Sequence, residues 1–74
     1  MYRIIIRFPD QSCIEFHGID EIEYSVAGGQ QMVSKEKILS HRFPLYGNYC
    51  FYGNDILASV KLDDARSLEI SIEN

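Results

Sequence analysis

The strongest constraint in this chain is a two-residue alternation of apolar and polar side chains that recurs in four separate segments. Tyr2, Ile4, Ile6 and Phe8 fall on one side of the first segment, and Arg3, Ile5 and Arg7 on the other. Ile14 and Phe16 flank Glu15. Ile22, Tyr24 and Val26 interleave with Glu23 and Ser25, and Leu68, Ile70 and Ile72 with Glu69 and Ser71. A period of two sends successive side chains to opposite faces of a strand, so each segment reads as a strand with one buried face.

Breakers divide the strands. Pro9 to Ser12 is a turn cluster, which makes the first two segments a hairpin. Gly18 ends the second strand, and Gly28-Gly29 supplies the permissive pair a tight hairpin turn needs before a return strand over 30–33. Ser34 can cap one or two helical turns over 34–41, which end before Pro44. A strand over 49–52, a turn at Gly53-Asn54-Asp55 and a strand over 56–62 with Ile56, Ala58, Val60 and Leu62 inward complete the middle. Asp63-Asp64 turns the chain into the last strand. These features predict one small, mainly β domain over 1–74. It is an antiparallel meander or partly open barrel of about six strands, with at most one short helix near 34–41. The expected core is Ile4, Ile6, Phe8, Ile14, Phe16, Ile22, Tyr24, Val60, Leu68 and Ile70.

Composition narrows the chemistry. Eleven carboxylates against seven Lys and Arg give a net charge of −4, which argues against a dedicated phosphate-backbone binder. The chain has no apolar run near the roughly 20 residues of a membrane span and no signal-type apolar stretch at its start, so a cytoplasmic location without membrane contact is expected. Cys13 and Cys50 are then expected as free, buried thiols rather than a disulfide. Cys13, His17, His41 and Cys50 lack the close ligand pairs of a zinc site. Cys13 and His17 on one strand would stand roughly 13 Å apart. Gly28-Gly29 lacks the spacing of a phosphate-binding loop, and Asp63-Asp64 lacks the donor series of a calcium loop. No catalytic residue, cofactor or metal is expected.

Five of the nine aromatic residues, Phe43, Tyr46, Tyr49, Phe51 and Tyr52, fall within ten positions. Tyr49 and Phe51 share a strand face and suit the core. Tyr46, between Pro44 and Gly47-Asn48, and Tyr52, on the other strand face, are expected at the surface near Arg42. That composition recurs at protein-binding hot spots. The expected function is a non-catalytic protein-protein interaction module whose partner-binding residues are Arg42, Phe43, Tyr46 and Tyr52. Strand edges at 21–25 and 67–72 would be open to strand addition.

In size and acidity the chain loosely resembles the accessory proteins that bacterial viruses and mobile elements carry. The resemblance implies inhibition of a host protein, with Glu15, Glu21, Glu23, Asp63, Asp64 and Glu69 imitating nucleic-acid phosphates. An alternative is a small barrel that binds single-stranded nucleic acid, stacking bases on Phe43, Tyr46 and Tyr49 beside Lys35, Lys37 and Arg42. The acidic segments on either side disfavour it. A further alternative is a structural or oligomer-forming role, with a homodimer pairing the 67–72 strands.

Overall fold

In the computed structural model, which describes residues 1–73, the first alternating segment forms β1 (Tyr2–Arg7). It pairs antiparallel with the start of β2 (Cys13–Val26), Ile4 opposite Phe16 and Ile6 opposite Ile14. The turn between them is held by Asp10, whose carboxylate accepts the Ser12 amide at 3.0 Å and the Ser12 hydroxyl at 2.6 Å. Four further strands follow: β3 (Gly29–Val33), β4 (Asn48–Gly53), β5 (Leu57–Lys61) and β6 (Ser67–Ile72). All pairings are antiparallel, in one open sheet of order β5-β4-β2-β1-β6, with β3 paired to β2 off that path. The domain is therefore mainly β, as the alternation requires. Its order departs from a plain meander because β6 returns beside β1.

Gly18 does not end a strand. β2 runs through it, and the register shifts once between Phe16 and Ile19 and again between Ile19 and Glu21. Gly18 takes a φ of +68°, open to glycine at little cost, at the first shift. Each one-residue slip turns the side chains over, so inward positions run Phe16, Ile19, Ile22 and Tyr24. Two slips restore the original phase, and Ile19 alone falls outside the even-numbered pattern. Its burial is complete.

The bulges let one strand serve two parts of the sheet. The first half of β2 pairs with β1, and the second half pairs with β3 on one edge and β4 on the other. Residues 21–25 are thus interior to the sheet, which corrects the expectation of a free edge there. The turn into β3 is Ala27-Gly28 rather than Gly28-Gly29, because Val26 already pairs with Gly29. Strands β5 and β6 lie at opposite ends of the sheet path, yet residues 62–66 connect them and fold into a turn, with the Ala65 amide on the Leu62 carbonyl at 3.0 Å. A flat path of five strands would measure about 19 Å at ~4.8 Å per strand. So short a folded connection requires the sheet to coil.

The coiled sheet encloses Ile4, Ile6, Ile19, Ile22, Tyr24, Val33, Tyr49, Phe51 and Leu62, and a 3-10 helix (Lys35–Ser40) adds Ile38. The Ser34 side chain makes no capping bond. With Ile38 its one buried residue, the helix has no apolar stripe to extend it. Of the expected core, Ile4, Ile6, Ile22 and Tyr24 are buried, while Phe8, Phe16, Val60, Leu68 and Ile70 pack at its margin. Ile14 faces the core side but is 37% exposed, since it sits at the hairpin end beyond the cover of neighbouring segments.

Ile19→Ala should therefore cost about 2–4 kcal/mol in chemical denaturation, and Ile14→Ala about 1 kcal/mol or less. Gly53→Ala should destabilise far more than Gly28→Ala. A Cβ at Gly53 would fall on the Gly18 carbonyl oxygen, whereas one at Gly28 meets open space.

Candidate interaction groove

An aromatic column organises the concave side of the sheet. Phe16 packs on Phe51 at 5.5 Å between ring centroids, Phe51 on Tyr49 at 5.8 Å, and Tyr49 stacks on Tyr24 at 5.2 Å and 14°. Phe43 closes the column edge-on against Tyr24 at 5.7 Å, with the His41 ring 4.6 Å from it. Such contacts add roughly 0.5–1.5 kcal/mol each beyond burial. The polar tips are all satisfied. The Tyr24 hydroxyl lies 2.7 Å from His41 Nε2, and the Tyr49 hydroxyl donates to the Pro44 carbonyl at 2.5 Å. Burial pushes the Tyr49 phenol above its ordinary value, so it remains a donor.

These contacts fix residues 41–46, which have no regular backbone hydrogen bonding, over the core. His41 is part of the column rather than the solvated basic residue its place beside Arg42 suggests. The far end of the segment is tied down as well. The Gly47 amide donates to Asp63 Oδ1 at 2.8 Å and the Gly47 carbonyl accepts the Leu62 amide at 2.9 Å. The Gly47 amide and Lys61 together hold the Asp63 carboxyl below its ordinary range.

Between this segment and β6 runs a groove of about 380 Å³. Leu39, Phe43 and Leu45 form one wall and Leu68 and Ile70 the other, with Arg66 at the start of β6. Leu39 and Leu45 are 53% and 39% exposed, well above the near-zero values of the core. A second depression of about 400 Å³ shares Arg66 and Ser67 and continues toward Phe8. The groove lining contains no carboxylate, although the chain carries eleven.

The strand beside the groove is an edge. The Phe8 amide bonds the Ser12 carbonyl, which directs the even residues of β1 to β2, and the Glu73 amide bonds the Met1 carbonyl, which directs the odd residues to β6. Ser67, Glu69 and Ser71 therefore bond β1. The backbone groups of Leu68, Ile70 and Ile72 point away from it, and among the described residues no strand pairs with them.

The partner-binding residues expected from sequence are only partly brought together. Arg42 and Tyr46 are exposed on the 41–46 segment and Phe43 lines the groove, half-buried in the column. Tyr52 lies elsewhere, on the opposite face of β4 from Tyr49 and Phe51. Its hydroxyl donates to Glu23 at 2.7 Å, which pushes the phenol up to about 12. Leu39 and Leu45 carried no sequence signal beyond their closeness to the aromatic cluster, and Arg66 carried none.

The acidic candidates do not form one row of free carboxylates. Glu15 meets His17, Glu23 accepts from Tyr52, and Glu69 pairs with Arg7 at 2.6 Å. Asp63 and Asp64 sit apart in the 62–66 connection, Asp63 on Lys61 at 3.3 Å, while Glu21 is exposed on β2. Of the basic residues proposed for nucleic acid, Lys35 and Lys37 are exposed on the 3-10 helix. Tyr49, offered for base stacking, is fully buried.

Neither cysteine is fully buried, contrary to expectation. Cys13 is exposed, and Cys50 turns to the outer face because Tyr49 and Phe51 turn inward, lying 3.3 Å from the Ser59 hydroxyl. Among the described residues no three His, Cys, Asp or Glu side chains are arranged to hold a metal, and no helix is long and apolar enough to cross a membrane.

His17 forms a clasp at the far end of β6. Its Nδ1 lies 2.5 Å from Glu73, its Nε2 lies 2.8 Å from Glu15, and the other Glu73 oxygen accepts the Gly18 amide at 2.8 Å. The Glu73 hydrogen bond raises the His17 pKa above 6.5, and the same bond lowers Glu73 below 4.5. The His17 contribution is complete below pH 6.5 and fades as pH rises through its folded value. The Glu73 contribution is complete above pH 4.5 and fades as pH falls through its folded value. The clasp is thus strongest between those limits. Wild type should melt higher relative to His17→Gln at pH 5.5 than at pH 8.5, and a gap independent of pH would contradict this.

Comparison with protein-family models, with curated proteins and with solved structures finds no match, so the groove and its edge strand stand on their own geometry.

Proposed function

We propose that this chain is a non-catalytic protein-interaction module that takes an extended segment of a partner protein onto β6. The observation that carries the reading is the coincidence of two features. The outward backbone groups of Leu68 and Ile70, continued along the same edge by Ile72, stand at the rim of a groove walled by Leu39, Phe43 and Leu45, into which the alternate side chains of an added strand would reach. Main-chain hydrogen bonds would supply affinity and the groove would supply selectivity. Arg42 and Tyr46, exposed on the segment that forms the opposite wall, provide further contacts. An inhibitory role toward a host protein in the cytoplasm, of the kind accessory proteins of bacterial viruses perform, would operate by occupying a strand-binding surface.

Two observations favour this reading over the others. Phosphate mimicry by the acidic residues is weakened because Glu15, Glu23, Asp63 and Glu69 are engaged within the fold. Base stacking is weakened because Tyr49 is buried and Phe43 is packed in the column.

Selection from a displayed library of random peptides tests the proposal. The wild-type chain should enrich sequences with apolar residues at alternate positions. Ile72→Pro, which deletes one outward amide at a 63% exposed position, should abolish the enrichment with the fold retained. Tyr46→Ala and Arg42→Ala should weaken selected peptides by up to about thirtyfold, the scale of a hot-spot residue. Glu23→Lys, on the other face, should have no effect. If Glu23→Lys alone abolishes binding, the working surface is the outer face of the sheet and the proposal fails.

A further inference from the structure

We infer that the occupant of β6 is a segment of a different protein that is apolar at alternate positions and carries a carboxylate at the end lying beside Arg66. The inference rests on the strand-addition reading and adds the chemistry of the partner.

Charge complementarity carries the argument. In a chain of net charge −4, the groove lining holds Arg66 and His41 and no acid. His41 is committed to Tyr24 through Nε2. Arg66 is exposed and makes no ion pair among the described residues, whose pairs engage Arg7, His17 and Lys61. The nearest acids in sequence do not occupy this place, since Asp63 is held by Gly47 and Lys61 and neither Asp63 nor Asp64 lines the groove. The guanidinium at the head of β6 therefore offers its donors to whatever the groove receives.

Register places the carboxylate. A strand added antiparallel, like every pair in this sheet, presents inward the residues opposite Leu68, Ile70 and Ile72. Arg66 lies just before β6, its amide turned in to the Arg7 carbonyl, so the residue that follows the one opposite Ser67, at the C-terminal end of the added segment, ends beside its guanidinium. The partner therefore reads apolar-x-apolar-x-apolar-x-acid. Positions x meet the outer face beside Ser67, Glu69 and Ser71, which suits small polar residues.

A second copy of this chain fits less well. Symmetric pairing centred on Ile70 would set Leu68 against Ile72 and match apolar with apolar. The acids Glu69 and Glu73 lie on the outer face, committed to Arg7 and His17, so neither of these side chains would reach Arg66.

The test uses two capped synthetic peptides, Val-Thr-Ile-Thr-Val-Thr-Glu and the same sequence ending in Lys, titrated onto the whole chain at low salt. The Glu peptide should bind roughly fivefold more tightly, the scale of a well-placed exposed ion pair. Arg66→Gln should erase the preference and Arg66→Glu should invert it. Melting curves that match wild type would show that both variants fold. Equal affinities, or a preference for Lys, would overturn the inference and leave the β6 reading standing, provided Ile72→Pro still blocks both peptides. No binding by either peptide would overturn both. So would a sedimentation mass of twice 8.5 kDa that falls to the single-chain value in Ile72→Pro, because the occupant would then be a second copy.

Discussion

The stacking of Tyr24 on Tyr49 is the interaction on which the rest of the structure depends. Those two rings join the strands β2 and β4 on the concave side of the sheet and pass the contact outward to Phe43 and His41 in one direction and to Phe51 and Phe16 in the other. A chain of this length buries only about 60% of its unfolded surface and has few large side chains to spend on a core. Placing six rings in one column fills the curved interior and reaches a segment that secondary structure does not hold. Without the hydroxyl contacts of Tyr24 and Tyr49, residues 41–46 would keep few ties to the sheet, and the groove beside β6 would lose a wall.

The sheet supplies the other wall through its bond parity. Because β1 spends its even residues on β2 and its odd residues on β6, the last strand is committed on one side and open on the other. The apolar side chains of β6 belong to the same residues whose backbone groups are open, so the groove and the edge share Leu68 and Ile70. Natural edge strands are usually guarded by charge, bulges or cover. Here the charges of β6 fall on the outer face, where Arg7 neutralises Glu69, and leave the inner rim unguarded.

Much of this was legible in the sequence, and the failures have physical causes. Alternation assigned the inward faces of β1, β4, β5 and β6 because each strand is short and unbulged. It could not show that β2 is continuous, since two one-residue slips cancel and only Ile19 falls out of phase. It could not tell that residues 21–25 are interior, because edge status depends on partners that are distant in sequence. The concentration of aromatics over 43–52 did mark the region of the site. Its division into column and surface was clear for Tyr49, Phe51 and Tyr46. For Tyr52 the outer face was read correctly but not its place against Glu23, 29 residues away, rather than near Arg42, and the division failed for His41, whose partner Tyr24 lies 17 away.

The central claim is an open β6 edge beside a fixed apolar wall, and residue-resolved amide hydrogen exchange of the free protein tests it most directly. The account predicts an alternating pattern along the last strand. Glu69 and Ser71 should be protected by β1, and Leu68, Ile70 and Ile72 should exchange at rates close to those of an unstructured chain. Uniform protection of all five amides would mean that the edge is already covered, and would contradict the account.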